Sequence, residues 1–104
     1  TIVVLVGGRP LALNWVASNI PAILQAWEPG SLGGLAVANV LSGKVNPSGK
    51  LPVTIPRTTG QIPMVYNHKP SYFFKNYKDG ESTPLYPFGF GLSYTNFVVG
   101  NVKK

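Results

Sequence analysis

The run Thr1-Ile-Val-Val-Leu-Val6, followed directly by Gly7-Gly8, decides the fold class of this chain. A continuous apolar run without polar alternation is typical of a strand that is buried on both faces, as in a parallel sheet covered by helices. A second apolar run, Ala22-Ile-Leu-Gln-Ala-Trp27, has the same character and ends at Glu28-Pro29-Gly30. The two runs predict two buried strands of one parallel sheet.

Short helices are predicted after each of these strands. Residues 14–19 indicate the first helix, with Asn14 as its N-cap. From Ser31 onward apolar residues recur at helical spacing, so Ser31 is the predicted N-cap of the second helix and Gly43 its C′ stop. The order strand–helix–strand–helix is the pattern of an α/β layer with a partial parallel sheet.

The second half of the chain has a different character. Residues 51–55 contain Pro52, which favours an edge position or an irregular extension. Residues 58–84 are rich in aromatic and turn-forming residues and predict a long loop, with a hairpin signal at Asp79-Gly80. Residues 96–102 predict the start of a strand that belongs to a further module.

Length and composition bound the chain to one small domain at most. It has 104 residues, a net charge of +6 and no cysteine, which excludes disulfides and thiolate metal sites. A (β/α)₈ barrel would need about 250 residues. Because the chain begins at Thr1 and its single methionine is Met64, we expect it to be a piece of a longer polypeptide.

Most site motifs are absent or incomplete. Neither Gly-Lys pair completes a phosphate-binding loop, and no nucleophile elbow is present. The only histidine, His68, has no carboxylate at ligand spacing and is predicted to be a surface loop residue, so we predict no metal and no cofactor. The nine basic residues are scattered and the longest aliphatic run, residues 2–6, falls far short of the ~20 residues of a spanning helix. Neither nucleic acid nor a membrane is therefore an expected partner.

The three acidic residues are the candidates for acid–base chemistry. Asp79 and Glu81 flank Gly80 in a predicted turn, which favours solvated loop charges. Glu28 follows the end of a predicted parallel strand, where α/β sheets place their ligands. It is therefore a candidate substrate contact, although a solvated position at a Pro-Gly turn is the favoured explanation.

Aromatic residues interleave with lysines in the predicted loop. Tyr72 and Tyr77 are the candidate substrate contacts among them, because such a surface can stack on sugars or bases. Packing against another domain is the commoner explanation for such aromatic residues.

Five motifs, in order and at matching spacings, resemble the family 3 glycoside hydrolases, the β-glucosidases and their relatives. The resemblance runs nearly end to end. The motifs are Val4-Leu-Val-Gly-Gly-Arg-Pro-Leu11, Ala26-Trp-Glu-Pro-Gly-Ser-Leu-Gly-Gly34, Asn46-Pro-Ser-Gly-Lys-Leu-Pro-Val-Thr-Ile-Pro-Arg57, Gln61-Ile-Pro63 and Pro84-Leu-Tyr-Pro-Phe-Gly-Phe-Gly-Leu-Ser-Tyr-Thr95.

The resemblance implies a place in a larger architecture. Family members have an N-terminal barrel, an α/β sandwich domain and often a fibronectin type III-like domain. Residues 1–95 resemble the C-terminal portion of the sandwich, and residues 96–104 the start of a fibronectin type III-like domain or a linker. The missing barrel and the N-terminal portion of the sandwich are then the partners of this chain. One departure is Asn76, where relatives often have an arginine before the residue matching Tyr77.

The resemblance also implies that no catalytic residue lies in this chain. The nucleophilic aspartate belongs to the barrel, and the acid/base glutamate lies upstream in the sandwich. The chain is therefore interpreted as a fragment of a retaining β-glucosidase-type hydrolase, inactive alone, whose parent acts on β-glucosides or oligosaccharides. The alternative is a non-catalytic module that binds carbohydrate or protein through residues 66–81.

Overall fold

The computed structural model describes residues 1–61, 63–69, 76–77 and 80–100, with only the backbone described for 76–77. The predicted strand–helix–strand–helix order is confirmed, and a short hairpin follows it. The elements are β1 (Ile2–Val6), α1 (Asn14–Asn19), β2 (Ala22–Trp27), α2 (Gly33–Leu41), β3 (Asn76–Tyr77) and β4 (Gly80–Glu81).

Strands β1 and β2 form the predicted parallel pair. Their register runs from Ile2 opposite Ala22 to Leu5 opposite Gln25, and then shifts so that Val6 lies opposite Trp27. The shift is a bulge, and at this point the backbone of Trp27 adopts a left-handed conformation with φ 55°. Since a left-handed conformation costs a non-glycine residue about 1–2 kcal/mol, the carboxyl end of this sheet is locally strained.

The helix starts differ from prediction, because neither predicted cap is one. Helix α1 starts at Asn14 itself, and the residue before it makes no side-chain capping bond. Helix α2 starts at Gly33, beyond Ser31, also without a side-chain cap. A Cβ on Gly33 would lie 2.5 Å from the Pro29 ring, so close packing of Pro29 on a glycine organises this turn. The end of α2 agrees with the prediction, since Gly43 follows the C-cap residue with φ 76°.

Antiparallel backbone contacts organise the second half. Ile55 forms a bridge with Tyr86, in which the Ile55 amide donates to the Tyr86 carbonyl at 2.9 Å. The Leu51 amide donates to the Phe90 carbonyl, and the Gly89 amide donates to the Leu51 carbonyl, both at 2.8 Å. The segment around Pro52 is therefore an irregular extension, as predicted. The predicted hairpin is present as β3 and β4, which pair Asn76 with Glu81.

Side-chain hydrogen bonds join the motif that begins at Asn46 to the motif that ends at Thr95. The Asn46 amide oxygen accepts from the Tyr94 amide at 2.8 Å, and its nitrogen donates to the Thr95 hydroxyl at 2.9 Å. The Tyr94 hydroxyl donates to the Val40 carbonyl at 2.8 Å, and the Lys50 ammonium donates to the Gly91 carbonyl. These contacts tie the end of α2 to the last motif.

Little of the described chain is buried. Ile55, at 3% exposure, is its only buried hydrophobic residue, while Trp15, Leu32 and Leu92 are each at least 70% exposed. The central residues of β1 are half-buried rather than buried on both faces as predicted. A hollow of about 1,020 Å³, here called the sheet hollow, opens beside the strands and is lined by residues that include Ile2, Leu5, Ile20, Leu24, Tyr86 and Tyr94.

The last described residues do not show the predicted strand. Residues 96–100 have no regular secondary structure, and 101–104 lie outside the described residues. Phe97, Val98 and Val99 are between 87% and 96% exposed. Among the described residues, no helix has the length and apolar character that crossing a membrane requires.

A substitution at Gly91 tests the contact between the two motifs. A Cβ there would lie 2.6 Å from the Gly49 carbonyl oxygen, whereas one on Gly49 would meet nothing within 4 Å. In the full-length protein, Gly91→Ala should lower the free energy of unfolding by about 1–3 kcal/mol through overpacking. Gly49→Ala is the matched control and should change it far less. Equal unfolding midpoints for the two variants would contradict this packing.

Candidate functional site

Glu28 lies where the sequence places it, directly after the carboxyl end of β2, and it is exposed. Its carboxylate lies against Gly8, since a Cβ on Gly8 would be 2.6 Å from Glu28 Oε1. Glu28 has no ion-pair partner in the described part of the chain. The structure brings Glu28 close to the glycine turn after β1, and its role as a substrate contact stays a prediction.

The two predicted aromatic contacts are described less fully. Tyr72 lies outside the described residues. Tyr77 lies in β3, and only its backbone is described. Both roles therefore stay predictions.

A buried glutamine at the base of the long loop is the most constrained polar side chain described. Gln61 is 3% exposed. Its Oε1 accepts from the amides of Arg57 at 2.6 Å and Thr58 at 3.3 Å, and its Nε2 donates to the Glu81 carbonyl at 2.8 Å. One side chain thus satisfies three backbone groups on two separate segments, as buried polar groups require.

Arg57 joins the same two segments on the outside. Its Nη2 lies 3.0 Å from Glu81 Oε2, and its Nε donates to the Thr83 carbonyl at 3.0 Å. The Thr83 hydroxyl also donates to Glu81 Oε2 at 3.1 Å. Glu81, predicted to be a solvated charge, is exposed but paired. We call Arg57, Gln61, Glu81 and Thr83 the Gln61 clamp.

Sequence reasoning did not single out the Gln61 clamp. In the sequence Gln61 stands out only as the first residue of the motif Gln61-Ile-Pro63. Glu81, whose carbonyl accepts its hydrogen bond, lies 20 positions away. No periodicity links such distant positions. The sequence signal that could have found the clamp is the scarcity of acidic residues. With only three in the chain, Glu81 is one of few possible ion-pair partners for Arg57.

A hollow lies beside the ring of Tyr66. The rings of Tyr66 and Phe88 pack with centroids 4.8 Å apart and planes tilted by 31°. The hollow beside them has a volume of about 350 Å³, and its walls include Val53, Thr54 and Asn67. We call it the Tyr66 hollow.

Metal-ligating groups do not cluster in the part of the chain that the structure describes. No three His, Asp or Glu side chains converge there. His68 is exposed, with its Nδ1 3.0 Å from the Lys69 carbonyl oxygen. This position matches the predicted surface loop residue.

Removing the Gln61 side chain tests the clamp. Gln61→Ala removes the acceptor of the Arg57 and Thr58 amides and the donor to the Glu81 carbonyl, which should destabilise the full-length protein by about 1–3 kcal/mol. Glu81→Ala removes an exposed ion pair with Arg57 and the hydrogen bond from the Thr83 hydroxyl, and should cost less than about 1 kcal/mol. Chemical denaturation of the two variants measures the difference, and an equal or reversed order would refute the central role of Gln61.

Comparison with known proteins places the chain in a family. Residues 1–94 match the model of the glycosyl hydrolase family 3 C-terminal domain. A β-xylosidase of Formosa agariphila is 50% identical over 105 residues, covering 98% of this chain and 14% of that protein. A periplasmic β-glucosidase of Salmonella typhimurium is 48% identical, covering 97% of this chain and 14% of that protein.

Solved structures agree with these relatives. The crystal structure of a β-glucosidase from Listeria innocua in complex with isofagomine superposes with a TM-score of 0.82 at 40% identity, covering 91% of this chain and 15% of that chain. The present chain therefore spans about 14% of the length of the curated relatives it matches. Its partial parallel sheet with flanking helices is part of a larger α/β domain. The chain belongs to the C-terminal domain family of the family 3 glycoside hydrolases and is a fragment of such an enzyme.

Proposed function

We propose that this chain is a non-catalytic part of a retaining family 3 glycosidase that hydrolyses β-glucosides or oligosaccharides. The observation that carries the proposal is the state of the described carboxylates. Glu28 is exposed without an ion-pair partner, and Glu81 is held by Arg57. A retaining glycosidase needs two carboxyl groups about 5–5.5 Å apart, one as nucleophile and one as acid/base.

Both catalytic carboxylates would come from the rest of the enzyme. The family resemblance implies an aspartate in the barrel that attacks the anomeric carbon and a glutamic acid that protonates the leaving oxygen. Water then hydrolyses the glycosyl-enzyme intermediate, with the same glutamate acting as base. The printed names of the relatives, β-glucosidase and β-xylosidase, support this reaction class.

The contribution of this chain would be structural support for that site. Its two strands would extend the sheet of the sandwich domain, and the upstream portion of that domain would fill the sheet hollow. Residues 1–95 would complete the sandwich, while 96–104 would lead into a fibronectin type III-like domain. The exposure of Phe97, Val98 and Val99 supports a covering module there, since adjacent exposed apolar side chains mark contact surfaces. Tyr72 and Tyr77 would be the substrate contacts on the leaving-group side.

An activity assay tests the absence of chemistry in this chain. The purified 104-residue chain should release no aglycone from an aryl β-glucoside above the buffer blank, because the family resemblance assigns both catalytic carboxylates to other parts of the enzyme. The full-length enzyme, assayed in parallel, should turn the substrate over. Turnover by the isolated chain that survives repeated purification and follows its elution profile would overturn the proposal.

The uncovered sheet predicts how the isolated chain behaves in solution. With one buried hydrophobic residue among those described, it should self-associate and unfold without a cooperative transition, because unpaired sheet edges and open apolar faces favour association. Light scattering and thermal circular dichroism measure the two properties. A monodisperse monomer with a sharp unfolding transition would show instead that the chain is a complete, independent module, which is the binding-module alternative.

A further inference from the structure

We propose that the Tyr66 hollow is an accessory binding site for one neutral pyranose ring of an oligosaccharide. The inference rests on the proposed function, since it supplies the class of ligand. Among the candidate substrate contacts from the sequence, Glu28 does not line this hollow.

The aromatic surface consists of two rings in contact. Tyr66 is 70% exposed and Phe88 is 45% exposed, and their centroids lie 4.8 Å apart. A single exposed aromatic residue needs no explanation, but a contacting pair beside a concavity offers a broad π surface. The C–H face of a pyranose is apolar and of matching size, and it carries the partial positive charge that the faces of aromatic rings attract.

Two polar side chains lie among the lining residues. The hydroxyl of Thr54 and the amide of Asn67 form no hydrogen bond with any other described residue. Each of them offers both donors and acceptors. A pyranose presents hydroxyl groups around an apolar ring, so an aromatic surface with an amide and a hydroxyl nearby matches both parts of the sugar.

Charge is absent from the lining. None of the eight residues that line the hollow is ionisable near neutral pH, since they are Pro, Val, Thr, Met, Tyr, Asn and Phe residues. An anionic sugar or a phosphate would find no countercharge on these walls, which favours a neutral ring. The volume of about 350 Å³ lies at the lower end of the roughly 300–1,000 Å³ usual for small-molecule sites.

The walls belong to segments that the fold holds firmly. Thr54 precedes the buried residue Ile55, which forms the antiparallel bridge to Tyr86. Phe88 precedes Gly89 and Phe90, whose backbone groups form hydrogen bonds with the backbone of Leu51. The Gln61 clamp holds the chain shortly before Tyr66 enters the hollow. A preorganised site of this kind loses less conformational entropy when it binds its ligand.

Steady-state kinetics of the full-length enzyme test the site, with cellotetraose and laminaritetraose compared with a short aryl β-glucoside. Tyr66→Ala should raise KM for at least one tetrasaccharide about three- to tenfold, the loss expected for one stacking contact. Its kcat, and both constants for the aryl glucoside, should stay within about twofold, because the site does not contact the reacting bond. Tyr66→Phe is the matched control and should retain the wild-type KM, since it keeps the ring. Asn67→Ala removes one of the two polar side chains that line the hollow, at an exposed position. It should raise KM for the same tetrasaccharide by a smaller factor.

Two results would overturn the site. An unchanged KM for both tetrasaccharides in Tyr66→Ala, with a lowered melting temperature, would make the ring pair a packing contact only. Equal losses on the aryl glucoside would likewise remove the accessory role.

An enzyme that hydrolyses none of these substrates would refute the proposed function and leave the site still testable. Saturation-transfer NMR with each tetrasaccharide would then compare the wild type with Tyr66→Ala. A signal that the substitution abolishes supports the site, while equal signals or none refute it.

Discussion

A parallel pair of apolar strands has two faces to remove from water, and this constraint governs the rest of the structure. Parallel sheets are stable only with both faces covered. Neither β1 nor β2 has a fully buried residue, although both strands consist almost wholly of apolar residues. The sheet hollow opens beside these strands. On the proposed function, the other side of this interface would lie elsewhere in the enzyme.

Polar contacts replace a hydrophobic core in the second half of the chain. Irregular backbone must find hydrogen-bond partners just as helices and strands do. Gln61 provides three of them from a single buried side chain, and Asn46 provides two for the last motif. Several residues that carried the family resemblance therefore stabilise the fold. On the proposed function, these motifs record how the segment folds, and the catalytic carboxylates would come from the parts of the enzyme that it supports.

The elements that local rules determine were predictable from the sequence. The run ending at Val6 forms a strand because it is apolar and β-branched, and Gly43 ends a helix because glycine tolerates a left-handed conformation. The start of α2 was missed because Pro29 packs on Gly33 across the turn, a contact that propensities do not register. The clamp was missed for a similar reason, since Gln61 acts on a residue of another segment. The roles predicted for Glu28 and Tyr77 depend on ligands and on neighbouring domains, so the fold of this chain alone does not decide them.

The central claim is that the rest of the enzyme completes this sheet, and amide hydrogen exchange tests it most directly. Amides of residues 2–6 and 22–27 would be followed in the full-length enzyme and in the isolated chain under the same conditions. The account predicts strong protection in the enzyme and fast exchange in the isolated chain, because a two-stranded sheet with open faces unfolds readily. Equal, strong protection in both would show that the 104 residues hold their own fold, and would contradict the account.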